Sequence, residues 1–242
     1  MRRFHRRLKH IRIYNRIYTP IANFVRFNLF QLNNPYYAKS YSQEGEDMVL
    51  RSLFFRQKEG FYVDVGAHHP QWYSNTKHFY DEGWRGINID ARPGTKELFD
   101  LERERDVNLE LGIGQEAKST FYIYDDGAFN TFNLDLVQSR LKESNHGPID
   151  EIQVDIEPLS SILSKYLPQN TAIDFISIDV EGKDLEVLKS NDWNLFRPRF
   201  VMVEAYSKDL ADISTDKTYE YLRNKGYALV ASTKNTLIFN AL

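Results

Sequence analysis

Short apolar runs that end in an acid or a glycine recur along this chain, and they constrain its fold more than any other feature. They occupy residues 61–65, 86–90, 174–179 and 200–204, and they end at Asp64 with Gly66, at Asp90, at Asp179 with Glu181 and Gly182, and at Glu204. Runs this short, rich in Val, Ile and Phe, read as buried strands. The segments between them, at 71–82, 94–103 and 183–190, have helical spacing. Further strands are expected at 107–111 and 121–124, and helices at 158–167 and 218–225. Residues 227–231 and 236–240 read as a closing hairpin. Strands alternating with helices predict a mostly parallel sheet covered on both faces, with one antiparallel edge strand supplied by the hairpin.

Parallel strands bring all these tips to one rim. Like charges gathered there repel one another unless a ligand, a cation or a proton compensates them, so the rim is the expected site. Ligands of open α/β sheets sit beyond the carboxyl ends of the strands. A pyrophosphate needs several glycines so that backbone N–H groups can surround it. Neither G-x-G-x-x-G nor G-x-x-x-x-G-K-[ST] occurs here. A single glycine beside an acid suits a ligand without phosphate, such as a nucleoside carrying an amino-acid tail. Asp90, at the second tip, is placed to accept from two adjacent ribose hydroxyls.

Composition excludes several alternatives. With no cysteine among 242 residues, disulfides, thiolate zinc sites and a cysteine nucleophile are ruled out. No run of about 18 apolar residues suggests a membrane span. Charge is unevenly spread. Residues 1–33 carry eight Lys and Arg and no acid, and the rest carries 23 basic against 34 acidic residues. The acidic body disfavours nucleic acid. Phe4, Leu8, Ile11 and Tyr18 recur at helical spacing among the arginines. The amino terminus therefore reads as a basic amphipathic helix, for peripheral contact with anionic lipid or for docking on protein. Asn33-Asn34-Pro35 marks a boundary, giving an extension over 1–40 and a domain over 41–242. The charged amino terminus does not resemble a secretory signal, so a cytoplasmic location is expected, with contact to a membrane surface through residues 1–33. Ser42 is a candidate cap for a helix carrying Met48, Val49, Leu50, Leu53 and Phe54. Residues 133–150 suit a helix plus loop or a lid over the substrate.

Several strings together resemble the FkbM family of S-adenosylmethionine-dependent methyltransferases. They are SQEGED at 42–47, GFYVDVGAHHP at 60–70, SNT at 74–76, GWRGINIDARPG at 83–94, FNTF at 129–132, IDFISIDVEGKDLEVLKSNDW at 173–193, VMVE at 201–204 and NTLIF at 235–239. They span nearly all of 41–240. Family members more often have Asn after D-V-G-A, where His68-His69-Pro70 stands here. The resemblance implies a class I methyltransferase fold, Rossmann-like, with a seven-stranded sheet of order 3-2-1-4-5-7-6. It also implies O-methyl transfer to a sugar hydroxyl of a polysaccharide, glycolipid or glycosylated metabolite. Carried over by position, Asp64, Gly66 and Ala67 would line the amino-acid and ribose side of S-adenosylmethionine. Asp90 and Ala91 would hold the ribose, Gly112 and Ile113 would flank the adenine, and Ser74 with Gln43 would meet the methionine carboxylate.

A sugar hydroxyl ionises far above neutral pH, so a base or a metal should assist. The candidates are His68, His69, Asp179, Glu181 and Glu204. Imidazole titrates near neutrality. Asp179 and Glu204 are instead suited to hold Mg²⁺ through hard oxygen ligands. Beside these stand plainer roles, in which a histidine only packs, Glu181 complements the helix after it, and Trp72, Trp84 and Trp193 are core unless one at the rim stacks on a sugar. The other class of function compatible with the sequence is a non-catalytic adaptor of the same fold that binds glycan or a membrane surface.

Overall fold

The computed structural model describes residues 37–205 and 210–242. The basic helix expected near the amino terminus lies outside the described residues. The compact unit runs from Ser40 to Leu242. Its elements follow in the order α1 (Glu46–Leu53), β1 (Phe61–Val65), α2 (Lys77–Asp81), β2 (Arg85–Asp90), α3 (Thr95–Glu102), β3 (Val107–Glu110), β4 (Gly112–Ile113) and β5 (Lys118–Ile123). They continue with α4 (Leu134–Ser144), β6 (Asp150–Glu157), α5 (Leu159–Tyr166), β7 (Phe175–Ile178), α6 (Asp184–Lys189), β8 (Phe200–Glu204), α7 (Lys217–Asn224), β9 (Tyr227–Ser232) and β10 (Thr236–Ala241).

Seven strands form one sheet in the order β3-β2-β1-β7-β8-β10-β9. This is the expected 3-2-1-4-5-7-6 arrangement, and the fold is that of the class I methyltransferases. β1, β2, β3, β7 and β8 are parallel. One detail differs from the sequence reading. The antiparallel strand is β10, inserted between β8 and β9 rather than lying at the edge.

The central strands are buried on both faces, as parallel strands between helix layers must be. Every residue of β1 and β7 is buried. Alternation sends Val63, Val65, Ile176, Ile178, Val201 and Val203 into an aliphatic core. It sends Tyr62, Phe175, Phe200 and Met202 to the other face, where they meet Phe54, Phe79 and Trp84. Asp64 and Ser177 share this second face by the same two-residue period.

Other expectations shift. The helix expected over 71–82 shrinks to α2, because residues 71–76 form the bends that close the site. α1 starts after Gly45, which stands in the left-handed region at φ 90° with no side-chain cap. Ser42 nevertheless serves the first turn: its hydroxyl oxygen accepts from the Asp47 N–H at 3.3 Å, and the hydroxyl donates to the Asp47 carboxylate at 2.8 Å, which also accepts from the Tyr41 N–H at 2.9 Å. A second sheet, β4-β6-β5, was not expected. α4 fills the ambiguous stretch, capped by the Asn133 side chain accepting from the N–H groups of Asp135 and Leu136.

A buried cation fixes the loop between β1 and α2. Arg103, at the end of α3, is 0% exposed. Its Nε and Nη2 donate to the Pro70 carbonyl at 3.1 and 2.6 Å, Nη2 to the Ser74 hydroxyl at 3.1 Å, and Nη1 to the Tyr62 hydroxyl at 3.1 Å. Asp106 stands 3.9 Å away and is itself held by the Gly86 N–H at 2.9 Å and the Asn88 amide at 3.0 Å. Removing one partner from such a network leaves the others without compensation in a place water cannot reach. Arg103→Met is expected to lower stability by about 3 kcal/mol or more, a fall of roughly 10 °C in Tm. An unchanged melting curve would contradict this account of the loop.

Candidate active site

The order of the sheet reverses between β1 and β7, and the crevice at that switch point is where an open α/β sheet binds its ligand. A cleft open to solvent lies there, lined by residues at the tips of β1, β2, β7 and β8. β1 ends at Gly66, whose φ of 82° requires glycine, and a Cβ there would stand 1.7 Å from the Asp179 carbonyl oxygen. The first strand tip is thereby pressed directly against the fourth.

On the β2 side, Asp90 is held rigidly. Its two carboxylate oxygens accept from the N–H groups of His68 at 2.7 Å and Arg92 at 2.8 Å. Each oxygen keeps further acceptor capacity for a hydroxyl. Burial raises its pKa, and the two backbone hydrogen bonds and the Arg92 charge oppose that rise. Leu111, Ile113 and Phe132 provide an apolar wall in the same cleft. Asp64 is almost completely buried and accepts from the Thr76 hydroxyl at 2.8 Å. Burial pushes its carboxyl up to about 6, although the Thr76 and Ser177 hydroxyls and the Arg103 charge act the other way.

On the β7–β8 side, Asp179, Glu181 and Glu204 each offer a carboxylate oxygen within 4.8 Å of the others. Asp179 is exposed to the open cleft. Partial removal from water between the cleft walls, followed by the charges of Asp184, Glu181, Asp64 and Glu46, raises its pKa above the ordinary carboxylate range. Glu181 is paired with Arg140 of α4 at 2.5 Å, and its carbonyl accepts from the Thr131 hydroxyl at 2.7 Å. Asp184 lies beneath the loop and accepts from the N–H groups of Val180 and Gly182, both at 3.2 Å. Burial lifts its pKa to about 7.

The sequence pattern of the methyltransferase FkbM domain matches residues 64–229, more than half of the chain. The chain belongs to the FkbM methyltransferase family. Its methyl donor is accordingly S-adenosylmethionine. A search of curated proteins returns no match. Among solved structures, similarity extends to a TehB-like SAM-dependent methyltransferase from Corynebacterium glutamicum, with 10% identity, TM-score 0.40 and coverage of 93% of this chain and 97% of that one. It extends also to the precorrin-6y C5,15-methyltransferase of Geobacter metallireducens, with 15% identity, TM-score 0.40 and coverage of 85% and 92%. The glycopeptide N-methyltransferase MtfA, solved with sinefungin, matches at 11% identity and TM-score 0.35 over 86% and 90%. Likenesses this distant carry no argument about activity; the family match and the strand order do.

The FkbM methyltransferase cleft fits that donor. A carboxylate held by two backbone N–H groups, with spare acceptor capacity, suits ribose hydroxyls, and an apolar wall beside it suits a base. Of the residues expected from sequence, Gln43, Asp64, Gly66, Ala67, Asp90, Ala91, Gly112 and Ile113 all line the cleft, as do His68, Asp179, Glu181 and Glu204.

Two expected residues do not line it. Ser74 is buried beside the cleft, its hydroxyl accepting from the Lys77 N–H at 3.1 Å and from Arg103, so it anchors the loop and has no methionine carboxylate to meet. His69 turns away: its Nδ1 accepts from the N–H groups of Gln71 and Trp72, and its ring stacks on Trp72. A base needs a free nitrogen beside the acceptor, so His69 is not brought to that position. His68 does reach the cleft, on the donor side. Its N–H binds Asp90, its carbonyl accepts from Arg92 at 3.2 Å, and burial lowers its pKa. Sequence reasoning missed Arg92, Arg140 and Asn75, which lines the cleft and donates to the Ser177 hydroxyl at 3.2 Å. Arg92 directly follows the Asp90-Ala91 pair, which was a usable signal; the pairing of Arg140 with Glu181 spans 41 residues and left none.

Asp90→Asn is expected to weaken binding of S-adenosylmethionine at least about tenfold by calorimetry, as loss of a charge-assisted hydrogen bond does; equal affinity would remove Asp90 from the donor site. A second expectation concerns pH. The folded protein keeps the Asp184 proton up to about 7, whereas an unfolded chain loses it near 3.8. Stability therefore falls as pH rises through that window. Urea midpoints should decline between those values in the wild type and decline less in Asp184→Asn; parallel profiles would contradict the raised pKa.

Proposed function

We propose that this FkbM methyltransferase transfers the methyl group to a hydroxyl oxygen of a neutral sugar, with Asp179 as the proton acceptor. The observation that carries the reading is the crowding of Asp179, Glu181 and Glu204 at the tips of β7 and β8, beside the donor half of the cleft. An ordinary carboxylate is too weak a base for a hydroxyl. One whose pKa is raised well above the usual range by partial withdrawal from water and by neighbouring acids is a better match.

When bound, S-adenosylmethionine supplies an electrophilic methyl on a sulfonium. The residues of the chain do the rest. Asp90 and Asp64 fix the donor side, and the Gly66 turn lets the acceptor side approach it. Asp179 accepts the hydroxyl proton as the oxygen becomes nucleophilic. Glu181, though paired with Arg140, still contributes a charge that raises the Asp179 pKa. Acids lining the cleft disfavour a carboxylate- or phosphate-bearing acceptor at the reacting position and favour one with hydroxyls to donate.

The three carboxylates also suit Mg²⁺, in the role of Lewis acid rather than base. The two readings part cleanly. With proton transfer to Asp179, activity persists in excess EDTA; with Mg²⁺, it is lost and returns on adding the metal. Labelled S-adenosylmethionine incubated with neutral nucleotide-free glycans and lipid-linked glycans is expected to place one methyl on oxygen, read by mass spectrometry. Asp179→Asn should lower kcat by about 100-fold or more while leaving donor affinity within about twofold. Methyl on nitrogen or carbon would overturn the sugar-hydroxyl reading, and full turnover in Asp179→Asn would overturn the base.

A further inference from the structure

The loop between β1 and α2 holds a tryptophan out in water. Trp72 is 67% exposed, whereas Trp84 and Trp193, the only other tryptophans of the chain, are 1% and 7% exposed. Its indole lies flat on the His69 imidazole, with ring centroids 4.2 Å apart and planes 5° from parallel. His69 is itself fixed, since Nδ1 accepts from the Gln71 N–H at 3.0 Å and the Trp72 N–H at 3.2 Å. Before the turn, Arg103 grips the Pro70 carbonyl; after it, the Ser74 N–H donates to the Tyr41 carbonyl at 3.1 Å. His68 and Tyr73 flank the turn, both in the left-handed region at φ 54° and 53°. Such conformations persist in non-glycine residues only where the surroundings impose them.

The loop therefore spends backbone strain and a buried arginine on holding an aromatic face in solvent. That face is not part of any core. One side of the indole rests on His69, and the other is open. His68 and Tyr73, on either side of it in the chain, line the cleft, so the turn that carries Trp72 borders the cleft. A flat apolar surface already immobilised loses little entropy when something stacks on it. The cleft it borders contains Asp64, Asp90, Asp179 and Glu181, against the cations Arg92 and Lys183. An occupant that reaches both places needs hydroxyls for the carboxylates and a C–H face for the indole, and it should carry no negative charge. A neutral pyranose has both.

We propose that Trp72, seated on His69, is a subsite for a neutral pyranose unit adjoining the one that is methylated, so that the acceptor is an oligosaccharide and not a monosaccharide. This rests on the sugar reading above. His69 is a positioning residue: it holds the platform and takes no part in proton transfer.

The test uses the full chain with S-adenosylmethionine. Trp72 is the tryptophan open to iodide, so protection of the emission from iodide quenching reports its occupancy. Neutral gluco-, galacto-, manno- and fuco-oligosaccharides of four to six units serve as probes, beside vesicles containing phosphatidylglycerol. The expected result is protection by at least one neutral oligosaccharide, absent in Trp72→Ala. On the glycan that the wild type methylates, Trp72→Ala should raise KM about fivefold to tenfold with kcat and donor affinity unchanged. Trp72→Phe should restore most of the loss, and His69→Ala should raise KM by less than Trp72→Ala. An unchanged KM in Trp72→Ala on a glycan that is methylated overturns the platform and leaves the sugar reading standing. If the wild type methylates no neutral glycan, the sugar reading falls and takes the platform with it. Protection by vesicles and by no oligosaccharide overturns the platform in favour of a lipid surface.

Discussion

Acid-tipped parallel strands converging on one rim are the constraint on which the rest of this structure depends. A parallel sheet cannot avoid gathering Asp64, Asp90, Asp179 and Glu204 at the same end, and the chain meets the resulting repulsion differently at each position. Asp90 is held by two backbone N–H groups and the neighbouring Arg92. Asp64 is buried against the Thr76 hydroxyl, and Asp184 against the amides of residues 180 and 182. Glu181 is paired with Arg140. Asp179, in the middle, is partly withdrawn from water and has four acids acting on it as well, and both effects raise its pKa. Fold and proposed chemistry therefore share one cause.

The two sides of the cleft are built differently. Around Asp90 the chain is tied by backbone hydrogen bonds, which hold it without any side-chain rearrangement. The opposite half is assembled from distant segments. SQEGED reaches the hairpin turn, where Glu44 accepts from the Asn235 N–H at 2.9 Å and Glu46 from the Thr233 hydroxyl at 3.0 Å. The end of α4 and the loop before it close on residues 181 and 182 through Arg140, Thr131 and Asn133. The proposed acceptor side, made from these separate segments, can vary in shape while the strand tips stay in place, as loops on a fixed scaffold do.

What the sequence made legible follows from periodicity. Central strands buried on both faces read as short apolar runs, and their tips could be named with the acids they carry. The donor residues followed because they sit at or next to those tips. Strand β6 was missed although Ile152, Val154 and Ile156 alternate at a period of two, since its apolar residues are few among Asp150, Glu151, Gln153, Asp155 and Glu157 and Gly147-Pro148 precedes them. The directions of His69 and Ser74 were not legible, because they lie in a loop whose course is set by Arg103 from another element. No local pattern announces a buried arginine 33 residues away. The pairing of Arg140 with Glu181 was hidden for the same reason.

The account stands on the carboxyl group of Asp179 titrating far from its ordinary range. Carbon-13 NMR of the side-chain carboxyls, assigned by comparison with Asp179→Asn, measures that directly. The account predicts a resonance that titrates well above the usual value of 3.8 and moves down in Glu181→Gln, where a neighbouring charge is removed. Titration of Asp179 near that ordinary value, unaffected by the Glu181 substitution, would contradict it.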